Sequence, residues 1–401
     1  ALIGTIAHPL NCAEYDVERG RVVQGYGIVQ PRIGVTLPSS HRSRFAAIHS
    51  GHPGVDPYTT AVSDVYQDLY SEGTSTGTGI SHVRVFERAT RGRFPDNVLL
   101  SHDLIEGTFA RAGLVTDVEV FDDYPARYLT AARRAHRWIR GDWQLLPYLA
   151  SWVPGPRGPT ANPLSAISRW KIFDNMRRSL APIMLFAWLV AGWTILPGSG
   201  VRWTLTALAA LIVPWLAGIL VAALRPPSGP AWRPYYSALG RDALSALLQM
   251  GLAIAFLPHQ AMVAADAIIR TLSRVFFTRR HLLEWLTASQ AESTLSSTRR
   301  AVWQRMWPAV VVAAAAAALG LIVHDSSGGG AGVPWEVVLP IGLLWIGGPE
   351  IAFVLSARRL RPDLALSPAD RATAMRYALA HWRFFDRFIG PATNWLVPDN
   401  Y

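Results

Sequence analysis

Three short constellations in the first third of the chain hold residues able to do chemistry. The first, Ser101-His102-Asp103-Leu104-Ile105-Glu106-Gly107, stands where a strand end is expected to meet a helix start. A carboxylate at the C-terminal edge of a strand in an α/β sheet is placed to act as a general base. The same pattern, Asp103 with Glu106 three residues on, is also a capping box. The second runs Arg134-Ala135-His136-Arg137-Trp138 and continues Arg140-Gly141-Asp142-Trp143-Gln144. On a helix, Arg134, Arg137 and Trp138 share a face. Guanidiniums beside an indole suit a nucleotide diphosphate or a sugar, since Arg pairs with phosphate and Trp stacks on a pyranose. An amphipathic helix lying on lipid has the same composition. The third spans residues 54–68, where Asp56, Tyr58, Thr59, Thr60, Asp64, Tyr66 and Asp68 crowd an otherwise ordinary helix. Thr59 and Thr60 as helix caps and half-buried tyrosines account for it equally well.

Short elements must position these groups. Arg21–Gln30 reads as a buried strand closed by Pro31, Asn97–Leu100 as another, and Val115–Phe121 alternates as a half-buried strand. Helices are expected at Ala61–Tyr70 and Leu104–Ala112. Strands alternating with helices imply an α/β layer structure over residues 1–153, and the abrupt opening at Ala1 implies that its first strands lie upstream. Gln30-Pro31-Arg32, after a strand, could line a pocket or simply end the strand.

Composition separates the remainder from this part. Residues 1–153 hold 15 Arg against 16 Asp and Glu, whereas residues 154–401 hold 23 basic against 12 acidic residues, within a chain of formal net charge +10. Half the chain is hydrophobic and its mean hydropathy is +0.19, so the basic, apolar part points to membrane before nucleic acid. One cysteine, Cys12, excludes a disulfide framework and a Cys-based zinc site. Pro154–Pro163 reads as a linker. Beyond it, uncharged runs of roughly 20 residues are long enough to cross a hydrocarbon core, and four spans are expected near 180–196, 203–224, 306–323 and 335–357. Arg-rich flanks at 169–178, 225–241, 270–305 and 358–387, with no Arg or Lys in the loops 197–201 and 324–334, put the first set in the cytoplasm. Residues 243–272 then form an interfacial or re-entrant helix, and 358–401 a cytoplasmic helical segment. Glu350, inside the last span, is expected to face protein or a water-filled path.

The order Asp103, then Arg134-x-x-Arg137-Trp138, then membrane helices resembles processive membrane glycosyltransferases, which have a GT-A fold. LPSSHRS (37–43), DPYTTAVSDVYQDLY (56–70), LLSHDLIEG (99–107) and HRWIRGDWQLLP (136–147) look more closely like the cyclic β-1,2-glucan synthases, glycosyltransferase family 84. The resemblance implies the C-terminal part of an α/β GT-A-like catalytic domain over 1–153, followed by an α-helical transmembrane region in a bacterial inner membrane with the catalytic part cytoplasmic. It implies inverting transfer of glucose from UDP-glucose to the 2-hydroxyl of a growing β-1,2-glucan. Asp103 would be the base, Arg134 and Arg137 would hold the diphosphate, and Trp138 and Glu106 the acceptor. Another processive polysaccharide synthase, or a membrane anchor or transport module without catalysis, are the alternatives. The family's DxD motif, which binds Mg or Mn with UDP, is expected upstream of Ala1, since no Asp-x-Asp occurs in the chain; no metal ligand is assigned within it. A phosphorylase-like domain is expected after Tyr401. The aromatic acceptor-facing segment of family 2 relatives is matched only loosely by Thr76-Gly77-Thr78-Gly79. A protein-primed synthase needs its own hydroxyl nucleophile, and Tyr58, following Pro57 at a loop–helix junction, is the candidate.

Overall fold

The computed structural model describes residues 1–50, 65–100, 103–155, 158–226, 232–284, 298–326, 332–359 and 367–396. It is mostly helical with three small sheets, and it divides into two units, Ala1–Arg358 and Arg359–Tyr401.

The first unit opens with α1 (Leu2–Ala7), the antiparallel pair β1 (Glu14–Asp16) and β2 (Arg21–Gln24), and β3 (Ile28–Val35). The single strand expected over Arg21–Gln30 is thus two. Gly25 turns the chain at φ +64°, and a Cβ there would meet the Cys12 carbonyl oxygen at 2.0 Å; only glycine suits such a corner. Pro31 does not close the strand but lies within β3, where the register to its neighbour slips between Pro31 and Arg32. A bulge tolerates a residue with no N–H to give. After α2 (Leu37–Ser40), α3 (Arg44–His49) and α4 (Val65–Tyr70) comes β4 (Ile80–Ser81), antiparallel to β3. Next follow α5 (Val83–Thr90), α6 (Asp103–Ala110) and β5 (Ala112–Asp122), which pairs parallel to β3. The sheet order is β4-β3-β5, and Ile28, Ile105, Phe109, Ala110 and Ala112 bury one face of it. Three strands do not by themselves define the GT-A class.

Asn97–Leu100 is not a strand. It is irregular, because the Leu100 N–H donates to the Gln144 side-chain oxygen at 2.6 Å instead of to a neighbouring strand. The open edge of β5 is closed in the same way. Gln67 of α4 accepts from the Leu114 N–H and donates to the Leu114 carbonyl at 3.3 Å, and the Gly73 N–H reaches Ala112 O at 2.8 Å. One amide side chain here mimics a strand partner.

Helix α7 (Tyr128–Gln144) leads to a hairpin, β6 (Trp152–Gly155) with β7 (Gly158–Ala161), inside the stretch read as a linker. Then come α8 (Ala166–Thr194), α9 (Gly200–Leu224), α10 (Trp232–Ala255), α11 (Leu257–Ser273), α12 (Arg299–Ser326), α13 (Trp335–Ile346) and α14 (Gly348–Ser356). By length and apolarity α9 and α12 could cross a membrane, and up to four spans result if the bent pairs 232–255 with 257–278 (66°) and 335–346 with 348–356 (46°) each count as one. The span expected near 180–196 is not among them. The uncharged half of α8 ends at Thr194, and its first half is polar and docked on the sheet domain. There Lys171, 3% exposed, donates to the carbonyls of Glu72 and Gly73 at 3.0 Å. The Glu72 carboxylate in turn holds Arg21 at 2.9 Å and accepts from Ser168 at 3.1 Å.

The two ends of the helical region differ. At one, the Arg-free loops meet: the Gly200 N–H donates to Gly332 O at 2.9 Å, beside buried Trp193 and Val333. Small residues let these backbones touch. At the other, Glu350 accepts from Arg299 at 2.8 Å and Trp303 at 3.2 Å, so the charge expected at depth is paired. The second unit carries α15 (Pro368–Phe388), capped by Ser367, which accepts from the Asp370 N–H at 3.1 Å.

A Cβ on Gly200 would lie 2.2 Å from the Gly332 carbonyl, whereas one on Gly218, further along α9, meets nothing within 4 Å. Gly200→Val is therefore expected to cost about 1–3 kcal/mol by overpacking, read as a lowered thermal midpoint in detergent, with Gly218→Ala unchanged.

Candidate functional site

Helix α7 carries most of the site, and three elements fix its pose. Near its start, the Tyr128 N–H donates to Ser356 Oγ at 3.1 Å, and its buried ring stacks on Phe256 at 3.9 Å with the hydroxyl 2.7 Å from His259 Nδ1. In the middle, His136 Nε2 meets the Asp266 carboxylate of α11 at 2.9 Å. Near its end, Gln144 donates to Leu282 O at 3.0 Å while holding Leu100, and Trp143 donates to Ser179 Oγ of α8 at 2.8 Å. With these faces committed, Arg134, Arg137 and Trp138 are left on the remaining one. The Arg134 guanidinium lies between two rings, 5.2 Å from the Tyr124 centroid and 4.7 Å from that of Trp138, which is 51% exposed. Burial lowers the Arg134 pKa, opposed by the Tyr124 and Asp122 side chains; burial lowers that of Arg137 too, opposed by the negative charge of Asp103. Both guanidiniums keep their charge at neutral pH, since arginine starts so high.

Asp103 is thereby brought within electrostatic reach of Arg137. It is the first residue of α6, and Asn97–Leu100 ahead of it form no strand; Ser101 and His102 lie outside the described residues. Its carboxylate faces Gly77, where a Cβ would fall 2.6 Å from Asp103 Oδ1 and where φ is +82°. Gly77 is thus required both for its backbone and for the room it leaves. The loop around it hangs on Gln30, 1% exposed, which accepts from the Thr76 N–H at 3.1 Å and donates to Thr78 Oγ1 at 2.5 Å. Gln30 therefore shapes the wall opposite Asp103, while Arg32 pairs across the strands with Glu119 at 2.7 Å.

Glu106, one turn on from Asp103, lines a cleft of about 390 Å³ with Phe94, Asp96, Asn97 and Leu283. Tyr58 lies outside the described residues. Gln30, expected either to line a pocket or to end a strand, holds the loop that faces Asp103. Residue patterns gave no role to Gln144 or Tyr124, a glutamine at a helix end and an aromatic residue before Pro125, both legible only once their partners are in place. Among the described residues no three His, Cys, Asp or Glu side chains are grouped to hold a metal ion. No residue of the chain is assigned to Mg or Mn, and no step is routed through one. What the arrangement offers is a carboxylate beside a guanidinium, a second guanidinium between aromatic faces, and an exposed indole. That set suits proton removal next to a departing anion.

Asp142, on the α8 side of α7, has its carboxyl pushed up to about 6 by burial, against the opposing Arg178 charge and a hydrogen bond from Asn175.

No protein-family model matches the chain. It is 37% identical over 403 aligned residues, its whole length, to the cyclic β-(1,2)-glucan synthase NdvB of Rhizobium meliloti (strain 1021), and the two are related. The chain spans about 14% of that relative's length.

This geometry has two measurable consequences. Gly77→Ala is expected to displace the Asp103 carboxylate and to cost about 1–3 kcal/mol of stability, read as a lowered thermal midpoint. Gly92→Ala, equally left-handed at φ +67° but with open space around it, reports the effect of backbone strain alone and is expected to cost less. The second concerns Asp142. A folded-state value raised above the unfolded one stabilises the fold below the ordinary carboxyl range, and this is lost as pH rises through about 6. Asp142→Asn is therefore expected to gain thermal stability relative to the parent, on the order of 2 kcal/mol, as pH rises from about 4 to 7.

Proposed function

We propose that the chain carries the glucosyl-transfer step and part of the membrane region of a β-1,2-glucan synthase, in a GT-A-like setting. The whole-length identity to a glucan synthase supports the transferase class. The single observation carrying the residue roles is the convergence of Asp103, Arg137, Arg134 and Trp138 from two helices. The donor is UDP-glucose and the acceptor the 2-hydroxyl of the growing glucan. An α-configured donor and a β-linked product require one in-line displacement. The acceptor oxygen attacks the anomeric carbon as its proton passes to Asp103, and the bond to the UDP oxygen breaks on the opposite face. Base catalysis of this type supplies about 10²–10⁴ in rate. Arg134 and Arg137 offset the charge on the departing diphosphate, and Trp138 stacks on the acceptor sugar. Glu106 serves the acceptor from the adjoining cleft. Mg or Mn, where the donor needs it, is assigned to no residue of this chain. The first sugar is placed on the Tyr58 phenol by the same displacement, with its proton taken by a carboxylate.

In this reading the helices lie in a bacterial inner membrane with the Arg-rich flanks and the catalytic part in the cytoplasm. The meeting of the Arg-free loops at Gly200 and Gly332 favours one common, extracytoplasmic end for them.

The tests are made on the full-length protein. Asp103→Asn is expected to lower polymer synthesis by about 10²-fold or more while UDP-glucose binding stays near the parental value; a variant that retains more than a tenth of the activity removes Asp103 from the base role. Linkage analysis of polymer made from labelled UDP-glucose is expected to give β-1,2 bonds, and another linkage would favour a different polysaccharide synthase. In a Cys12→Ser background, D325C is expected to react with an impermeant thiol reagent from the periplasmic side and R280C only after the membrane is opened. The reverse pattern would overturn the orientation.

A further inference from the structure

Helix α15 is built unlike the long helices of the first unit, each of which buries part of one face. None of its 21 residues is buried. Met375, Leu379, Trp382 and Phe385 are 68, 48, 67 and 41% exposed. With Ala378 they recur at intervals of three and four residues, so they lie along one stripe. Arg371 and Asp386 close that stripe at its two ends. Arg376, Arg383 and Arg387, spaced by seven and four, form a second stripe along its border. Phe384, on another face, packs on Phe385 and Phe388 of its own helix.

A tryptophan-bearing apolar stripe bordered by arginines is what a helix needs to lie in a bilayer interface. The apolar side chains enter the acyl boundary while the long arginine stems reach back to anionic headgroups. Chain connectivity restricts the occupant further. Ser356 ends the last membrane-capable helix pair and Pro368 begins α15, so the link of a dozen residues reaches at most about 40 Å. The helix carries four Arg against two Asp, which complements an anionic leaflet.

We propose that α15 lies flat on the membrane surface, with Met375, Leu379, Trp382 and Phe385 in the headgroup–acyl boundary and Arg376, Arg383 and Arg387 on lipid phosphates. The proposal rests on the membrane reading of the first unit and not on glucosyl transfer.

The test uses the full-length protein in nanodiscs of phosphatidylethanolamine and phosphatidylglycerol, with Cys12→Ser as background and one nitroxide label at a time. Labels at L379C and F385C are expected to be oxygen-accessible and shielded from a water-soluble nickel chelate, at a depth of about 5–10 Å. Labels at T373C and A380C, on the opposite face, are expected to be open to the chelate. Replacing Arg376, Arg383 and Arg387 together by Gln is expected to lower the ratio of inserted to free helix on the order of a hundredfold, as is exchanging the anionic lipid for phosphatidylcholine. A label at L216C in α9 reports the bilayer independently. Were L216C in lipid while L379C and F385C were as chelate-accessible as T373C and A380C, the proposal would be overturned alone. Shielding of 379 and 385 from both oxygen and chelate, the mark of a protein surface covering the stripe, would overturn it equally. An L216C label in water would overturn the membrane reading and this proposal with it.

Discussion

The seat of α7 on α11 governs the rest of the first unit. Tyr128, stacked on Phe256 and bonded to His259, fixes one end of α7 at the very break between α10 and α11. Phe45 from α3 packs edge-on against the same ring at 5.9 Å, and Val302 and Met306 of α12 and Ala352 of α14 complete the cluster. A buried tyrosine must find a partner for its hydroxyl or lose on the order of 1–3 kcal/mol. The histidine at the helix break supplies one, so register and rotation of α7 follow from one polar contact set in an apolar cluster. Arg134, Arg137 and Trp138 inherit their direction from it.

The other end of α7 reaches the opposite way. Gln144 bonds both to Leu100, ahead of α6, and to Leu282, after α11. The helix thus bridges the sheet domain and the membrane-capable helices, and any tilt of α11 is passed to the approach of Arg137 to Asp103. Interfaces packed this closely move between discrete arrangements more readily than they stretch.

Much of this was legible in the sequence and some could not be. Helices α7, α9 and α12 and the strand containing Val115–Phe121 announce themselves through period and composition. The facing of Arg134 and Trp138 follows from their spacing of four. Arg21–Gln30 misled because hydrophobic runs do not reveal a corner, and only Gly25 and Gly27 hinted at one. Asn97–Leu100 has a strand's composition, but the glutamine that takes its N–H comes from 44 positions away. The apolar run near 180–196 falls in α8 up to Thr194, and what the run does not announce is the polar half, from Ala166, that carries the same helix back to the sheet domain. For the site, Asp103 was visible as a carboxylate, yet the loop it faces was not. The need for glycine at 77 is a statement about empty space, and no pattern of residue types encodes that.

Lys171 is the chain's one lysine among 38 basic residues, and its ammonium is buried beneath the Glu72–Gly73 backbone with the Tyr66 ring 5.3 Å away. Arginine does not react with acylating reagents at neutral pH, so over this whole stretch a single side-chain amine is available to them. It becomes reactive only when the polar half of α8 lifts from the segment below it. The rate at which an amine-directed reagent forms an amide at this position is therefore a clock for that separation, with no other side-chain amine in the stretch to obscure it. A stretch that has put nearly all its positive charge on guanidinium holds one natural chemical probe where its sheet domain meets α8.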